Sequence, residues 1–266
     1  MNTDNLLQTG LRTVNMIRYA LPLREGGSLP AIAEGDDGFS YVLKFRGAGQ
    51  GTRALIAELI GGEIARMAGL KVPELVFANI DEAFGRTEPD EEIQDLLKAS
   101  TGINLALHYL SGSYTFDPVV TDVNPELASR IVWLDAFLLN VDRTRRNTNM
   151  LMWHKELWLI DHGAALYFHH NDPDYSAYVD RPFVQIKDHV LLRRAGALKA
   201  ADRHLKGLLT PQAITALVSL IPDSWLDPGG ASFDAQRDAY AAFLLKRLAV
   251  SEVFVNAAED ARNALI

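Results

Sequence analysis

Two aspartates and an asparagine stand where apolar segments of the chain end. Asp142 follows the run Leu127–Leu139, Asn147 lies five residues further on, and Asp161 closes Trp158-Leu159-Ile160 just ahead of His162-Gly163. A hairpin between Asn147 and Asp161 would bring its two ends together, so that one carboxylate meets an amide–carboxylate pair around a hard cation. Oxygen donors of this kind suit Mg²⁺ rather than zinc. The sequence has no cysteine, which removes thiolate metal sites, disulfides and thiol nucleophiles together. Upstream, Lys44 ends the run Tyr41-Val42-Leu43, and Glu58 and Glu63 lie on the segment that follows. Each group has an ordinary use: a strand-end lysine in solvent, an aspartate that caps a helix or shapes a turn. Their order along the chain argues for something else.

The elements that must position these groups are visible in the pattern. Leu29–Glu34, the turn Gly35-Asp36-Asp37-Gly38 and Tyr41–Phe45 predict a hairpin. A glycine-containing loop, Arg46–Thr52, has amides that together with Arg53 could cradle an anion. A helix follows, with Leu55, Ile56, Leu59, Ile60, Ile64 and Met67 at three- and four-residue spacings, Gly69 at its end and Pro73 beyond. On a helical wheel Glu63 falls inside the apolar stripe and Glu58 projects from the opposite side. A buried Glu63 needs a partner, so it competes for Lys44.

Leu75–Ala78 reads as a strand, Glu88–Asp95 as an acidic surface stretch, and Ile103–Leu110 as an apolar run broken by Gly112. Leu127–Leu139 reads as a helix. Met150–Trp153 and Leu157–Ile160 form a second hairpin across His154-Lys155-Glu156, and helical segments run from about Val184 to near Ala264. The expected organisation is α+β: a β-rich part with one helix over residues 1–111, then a mainly helical part with a hairpin over 112–266.

Lys plus Arg number 26 against 34 for Asp plus Glu, a net charge of −8, which argues against a general nucleic-acid binder. The compact basic cluster near the aspartates is Arg143, Arg145 and Arg146, placed either to steer an anionic ligand or simply as a solvated loop. His154, His162, His169 and His170 lack metal-binding spacing and read as structural or surface groups. No apolar run approaches the ~18 residues of a membrane span. Met1–Arg18 lacks the basic start and apolar block of a signal peptide. A cytoplasmic protein is expected.

A lysine on a strand, a glutamate on the next helix, Asp-x₄-Asn and a strand-ending Asp-x-Gly, in that order, is the layout of a protein-kinase-like fold. In detail the sequence resembles the HipA-like kinases, especially their short single-domain branch. The resemblance is carried by Gly26-Gly27-Ser28, Tyr41–Phe45, Glu58–Pro73 with its closing Gly69-Leu70-Lys71-Val72-Pro73, Asn140–Asn149 and Leu159–Gly163. The Asp-Arg-x₃-Asn loop, hairpin and Ile-Asp-x-Gly are also similar to those of phosphoinositide kinases.

The resemblance implies a bilobal fold with a β-rich N-lobe and a mainly helical C-lobe. It implies ATP and Mg²⁺ as cofactors and transfer of the γ-phosphoryl group to a hydroxyl acceptor, expected to be Ser or Thr on a protein. Lys44 would fix the α/β-phosphates with Glu58 holding it, Glu58 being preferred to Glu63 for its spacing to Gly-Leu-x-Val-Pro. Asn147 and Asp161 would hold the metal, and Asp142 would accept or orient the acceptor proton. Gly26, Gly27 and Ser28 would cover the phosphates, and the chain near Ile103–Tyr109 would be the adenine-binding hinge. His162 departs from the familiar Asp-Phe-Gly, there is no His-Arg-Asp triplet, and the N-terminal subdomain of full-length HipA toxins has no match. Two rival readings stay open at this point: a non-catalytic nucleotide-binding scaffold, and a kinase for small molecules or lipids.

Overall fold

Five strands with alternating inward side chains close a barrel. In the computed structural model, which describes residues 10–23, 29–86, 88–170 and 174–266, these are β1 (Thr13–Pro22), β2 (Ala31–Gly35), β3 (Ser40–Lys44), β4 (Leu75–Ile80) and β5 (Gly102–His108). Their order around the barrel is β1-β2-β3-β5-β4, and a parallel pairing of β4 with β1 completes the ring. Val14, Ala31, Tyr41, Leu43, Val76 and Ala106 fill it. The expected first hairpin is β2–β3, with Ala31 opposite Leu43.

The sequence reading did not include β1. Only Val14 and Met16 of this strand are buried, and register shifts between Met16 and Arg18 and between Tyr19 and Leu21 break its alternation. Strand detection depends on that period of two, and the bulges erase it.

Helix α1 (Gly51–Met67) runs beside the barrel and ends where Gly69 adopts φ +69°, its N–H bonding Arg66 O at 3.0 Å. It is wedged between β5, α3 (Pro125–Leu138), α5 (Pro211–Val218) and the short turn Asp223–Trp225. Both faces are therefore buried, Glu58 included. The wheel that put Glu58 on an outer face fails because this helix has no outer face in its middle turns. The acidic stretch around Glu88–Asp95 contributes α2 (Glu91–Ala99), capped by Asp90 and burying only Ile93 and Leu97.

Past the barrel, β6 (Tyr114–Thr115), β7 (Met150–Trp153) and β8 (Glu156–Leu159) make a three-stranded sheet. Its hairpin turns through His154 and Lys155, both at positive φ, as a tight two-residue connection requires. Around α3 gather α4 (Leu198–Leu208), α5, α6 (Phe233–Ala249) and α7 (Ser251–Asn263). Trp133 stacks on Phe137 at 5.0 Å, and Phe254 of α7 packs edge-on against Trp133.

Arg247 of α6 is fully buried and donates to the carbonyls of Ala136 and Phe137, each at 2.8 Å, and to those of Tyr178, Val179 and Arg181. Burial lowers its pKa to about 10. A cation at the C-terminal end of α3 meets the negative pole of that helix. Among the described residues no helix is long and apolar enough to cross a membrane.

Candidate active site

Strand β3 ends by delivering Lys44 to the space between the barrel and α1. Its Nζ donates to Glu58 Oε2 at 2.6 Å and to Asp161 Oδ1 at 2.5 Å. The lysine side chain is 15% exposed, Glu58 0% and Asp161 47%, so the cluster is sealed at one end and open at the other. Burial alone would lower the lysine pKa, but the two carboxylates outweigh it and raise the value. Burial likewise pushes Glu58 up, and Lys44 together with the His162 donor more than reverses that, bringing it down to about 2. Glu63 pairs instead with Arg66 at 3.4 Å, in a geometry that makes no hydrogen bond, and burial raises its pKa. Lys44 meets Glu58, not Glu63.

Asp161 sits in the left-handed region at φ +56°. The following residue, His162, donates its backbone N–H to Glu58 Oε2 at 2.8 Å. This approach needs Gly61, because a Cβ there would lie 2.6 Å from the Cβ of His162. The glycine in mid-helix lets the Asp161-His162-Gly163 segment lie directly on α1.

The loop after α3 is held from below by one buried carboxylate. Asp135 Oδ1 accepts from Asn140 Nδ2 at 2.8 Å; Oδ2 accepts from Arg143 Nε at 2.6 Å and His189 Nε2 at 2.9 Å. Leu191 N–H donates to His189 Nδ1, which fixes the imidazole proton on Nε2. Burial pushes Asp135 up, but Arg143 first and His189 second hold it well below the usual carboxylate range. Arg143 also reaches Asn149 O and Ile160 O, tying the loop to the residue before Asp161. Arg143 is 1% exposed and so cannot steer a ligand from solution. That part of the basic-cluster expectation is corrected, and Arg145 and Arg146 alone are exposed.

On this base, Asp142 Oδ2 accepts from Asn147 Nδ2 at 2.7 Å and from Asn149 Nδ2 at 3.2 Å, and its own N–H bonds Asn140 Oδ1. With its nitrogen turned to Asp142, Asn147 has its carbonyl oxygen left for a cation. Asn149 O accepts from Ile160 N, so Asn147 and Asp161 leave the same end of the β7–β8 hairpin. The donor set is a carboxylate and an amide oxygen, both solvent-accessible. It fits a small hard cation that keeps waters and takes one or two protein ligands. Among the described residues no three His, Cys, Asp or Glu side chains cluster as a metal cage.

Several expectations fall elsewhere. Gly26, Gly27 and Ser28 lie outside the described residues. In the Arg46–Thr52 loop the amides of Arg46, Gly47, Ala48 and Gly51 are taken by Asn104 Oδ1, Ser100 Oγ, Phe45 O and Ala48 O, and Arg53 bonds His170 O. Ile103–His108 lies in β5, whose residues 105–107 pair with strands on both sides, and Tyr109 N–H bonds Ser40 O. Beyond it the chain turns through 110–113, where Ser111 N–H bonds Tyr109 O, Ser113 N–H bonds Leu110 O, and Ser111 O accepts from Trp153 Nε1. His169 is buried against Tyr240 Oη at 3.0 Å.

Sequence reasoning missed Asp135, His189 and Gly61. Asp135 had a visible signal, a charge inside Val132-Trp133-Leu134-Asp135-Ala136-Phe137, and so did Gly61-Gly62 inside a helical pattern. His189 had none.

A family model described as HipA-like kinase matches residues 16–252, most of the chain. The chain belongs to the HipA-like kinase family. This HipA-like kinase is thus a phosphotransferase enzyme. Among solved structures it is similar to the Helicobacter pylori proinflammatory kinase CtkA, at 12% identity and TM-score 0.57, covering 96% of this chain and 99% of that one. It is also similar to the Golgi casein kinase with Mn/ADP bound, at 12% identity and TM-score 0.48, over 98% of this chain and 77% of that one. At such identity, the likeness to CtkA speaks for the fold alone. No curated protein matches the HipA-like kinase described here.

Proposed function

We propose that this kinase moves the γ-phosphoryl group of ATP to a hydroxyl acceptor, a Ser or Thr side chain of a protein. The observation that carries the proposal is Lys44, a partly exposed ammonium bracketed by carboxylates 14 and 117 residues away. A lysine so placed serves as a fixed point charge for phosphates. Residues 1–111 and 112–266 are then the two lobes of a bilobal kinase. Lys44 and Glu58 belong to the first, and Asp142, Asn147 and Asp161 to the second.

Asn147 Oδ1 and Asp161 would hold Mg²⁺, Lys44 would hold the α/β-phosphates, and Gly26, Gly27 and Ser28 would cover them. Bound Mg²⁺–ATP supplies the transferable phosphoryl group and neutralises charge on its oxygens. Asp142 would accept the proton of the acceptor hydroxyl, whose oxygen receives the phosphoryl group while ADP departs as the leaving group. Asn147 and Asn149 keep the Asp142 carboxylate turned for that task. The rest is positioning and electrostatics. The cysteine-free composition supports a reducing, cytoplasmic setting.

Calorimetry with ATP, with and without Mg²⁺, tests the site, and γ-phosphate transfer into a cell lysate tests the chemistry. Tighter binding with Mg²⁺, and loss of transfer in folded Lys44→Ala, are expected. Equal affinity with and without Mg²⁺ counts against the metal ligands. ATP binding with no transfer to any acceptor hands the chain to the non-catalytic scaffold.

A further inference from the structure

Glu58 uses only one of its two oxygens. Oε2 accepts from Lys44 Nζ and from the His162 backbone N–H, while Oε1 is buried with no hydrogen-bond partner. Facing Oε1 at 3.6 Å is His162 Nδ1, also buried and also without a partner. An unpaired donor and acceptor facing each other in a dry interior are costly to leave apart. An approach of about 0.4 Å brings them into bonding range.

The ring is held for that contact. Gly61 and Glu58 are three residues apart on α1 and so share a helix face. A Cβ at Gly61 would lie 2.6, 3.0 and 3.2 Å from His162 Cβ, Cγ and Cδ2, so the missing side chain is the slot that the imidazole occupies. A phenylalanine, the residue of the familiar Asp-Phe-Gly, could fill an apolar slot but would bring no donor to Oε1.

We propose that His162 is a positioning residue: its Nδ1–H clamps Glu58 Oε1, so that Glu58, gripped at both oxygens, keeps Lys44 aimed. The proposal rests on the reading that Lys44 serves nucleotide phosphates. Its consequence is that Glu58 holds its place when Lys44 exchanges Asp161 for a phosphate oxygen. The proton this requires is on Nδ1, the ring nitrogen opposite to the one that donates in His189.

Two measurements decide it. Nitrogen NMR of ¹⁵N-histidine-labelled protein, assigned with a His162→Asn variant, should show a proton on Nδ1. A ring protonated at Nε2 alone overturns the proposal, and this readout needs no nucleotide. The second is calorimetry with ATP plus Mg²⁺. His162→Phe should weaken binding about tenfold, which is ~1.4 kcal/mol, whereas His162→Asn, whose amide nitrogen can reach from near the Nδ1 position, should recover most of it. In a Glu58→Ala background His162→Phe should have no further effect. Wild-type affinity in His162→Phe, losses that add in the double variant, or an Asn variant as weak as the Phe one, overturns it. Should His162→Phe fail to fold, the Asn variant and the NMR tautomer still decide. Lys44→Ala is the separate control: unchanged ATP affinity there sinks the phosphate reading of the lysine, while the tautomer result judges His162 independently.

Discussion

Two buried carboxylates anchor this kinase, and they are used in opposite ways. Glu58 and Asp135 both lie fully buried, both meet one strong cation, and both have pKa values held below the usual range. Asp135 pairs with Arg143, whose side chain is 0% exposed, and the remaining bonds come from Asn140 and His189. Glu58 pairs with Lys44, which stays partly exposed and reaches across to the open Asp161. A sealed ion pair can only hold; an ion pair with one end in solvent can exchange a partner. Arginine, forked and permanently charged, suits the first role, and lysine, a point charge on a flexible stem, suits the second.

The largest expected effect is in catalysis, at Asp142 on the loop that Asp135 holds and at Asp161, which Lys44 meets. Asp142→Asn should lower turnover by ~10²–10⁴-fold, the range for a positioned acid–base group, with circular dichroism and ATP–Mg²⁺ affinity nearly unchanged. Asp161→Asn should instead weaken Mg²⁺-dependent ATP binding, because it removes the charged member of the proposed metal-holding pair.

Next comes stability, read by urea unfolding. Asp135→Ala should destabilise by ~3–5 kcal/mol, since it strands Arg143 in a dry site. Lys44→Ala should be clearly milder, because water can enter from the exposed side and Glu58 retains the His162 amide. Equal losses would mean that the cleft is as sealed as the loop base.

Acid should then melt both anchors. Their folded pKa values lie below the unfolded ones, so the stability they contribute is complete above the ordinary carboxylate range and is lost as pH falls through the folded values. For Glu58 the window runs from about pH 4.5 down to about pH 2, and full protonation removes about 3 kcal/mol. Glu58→Gln should flatten the pH dependence in that window.

The smallest effect belongs to Glu63, where the sign reverses. Burial raises its pKa, so its charged form is disfavoured at neutral pH and the contribution improves on protonation. Glu63→Gln should raise Tm by a few degrees, about 1 kcal/mol, and leave ATP affinity unchanged.

What the sequence revealed follows the range of the forces involved. Lys44, Asp142 and Asp161 were legible because each follows a strongly apolar segment, and Asn147 because it lies five residues from Asp142 at the start of a local hairpin that ends at Asp161. The Lys44–Glu58 pairing was legible only through family spacing, since α1 is buried on all sides of its middle turns and the wheel points to Glu63. His189 was invisible because it meets Asp135 across 54 residues, and no local pattern encodes that distance. β1 was lost to its own bulges. That Ile103–His108 belongs to a paired strand was not legible, because an apolar run does not show where pairing to two neighbouring strands stops.

Arg247 carries one more consequence, in time rather than space. The last turn of α3 exposes carbonyls that have no partner within the helix, and those of Ala136 and Phe137 are met by a side chain 110 or more residues later. A ribosome making this protein releases Asp142, Asn147 and Asp161 long before it reaches residue 247. Until then the helix that launches the Asp142 loop ends in unpaired oxygens, and the 178–181 segment has lost the bonds that dock it there. A nascent or interrupted copy that stops short of Arg247 therefore carries Asp142, Asn147 and Asp161 without the side chain that ties the end of α3 to the 178–181 segment.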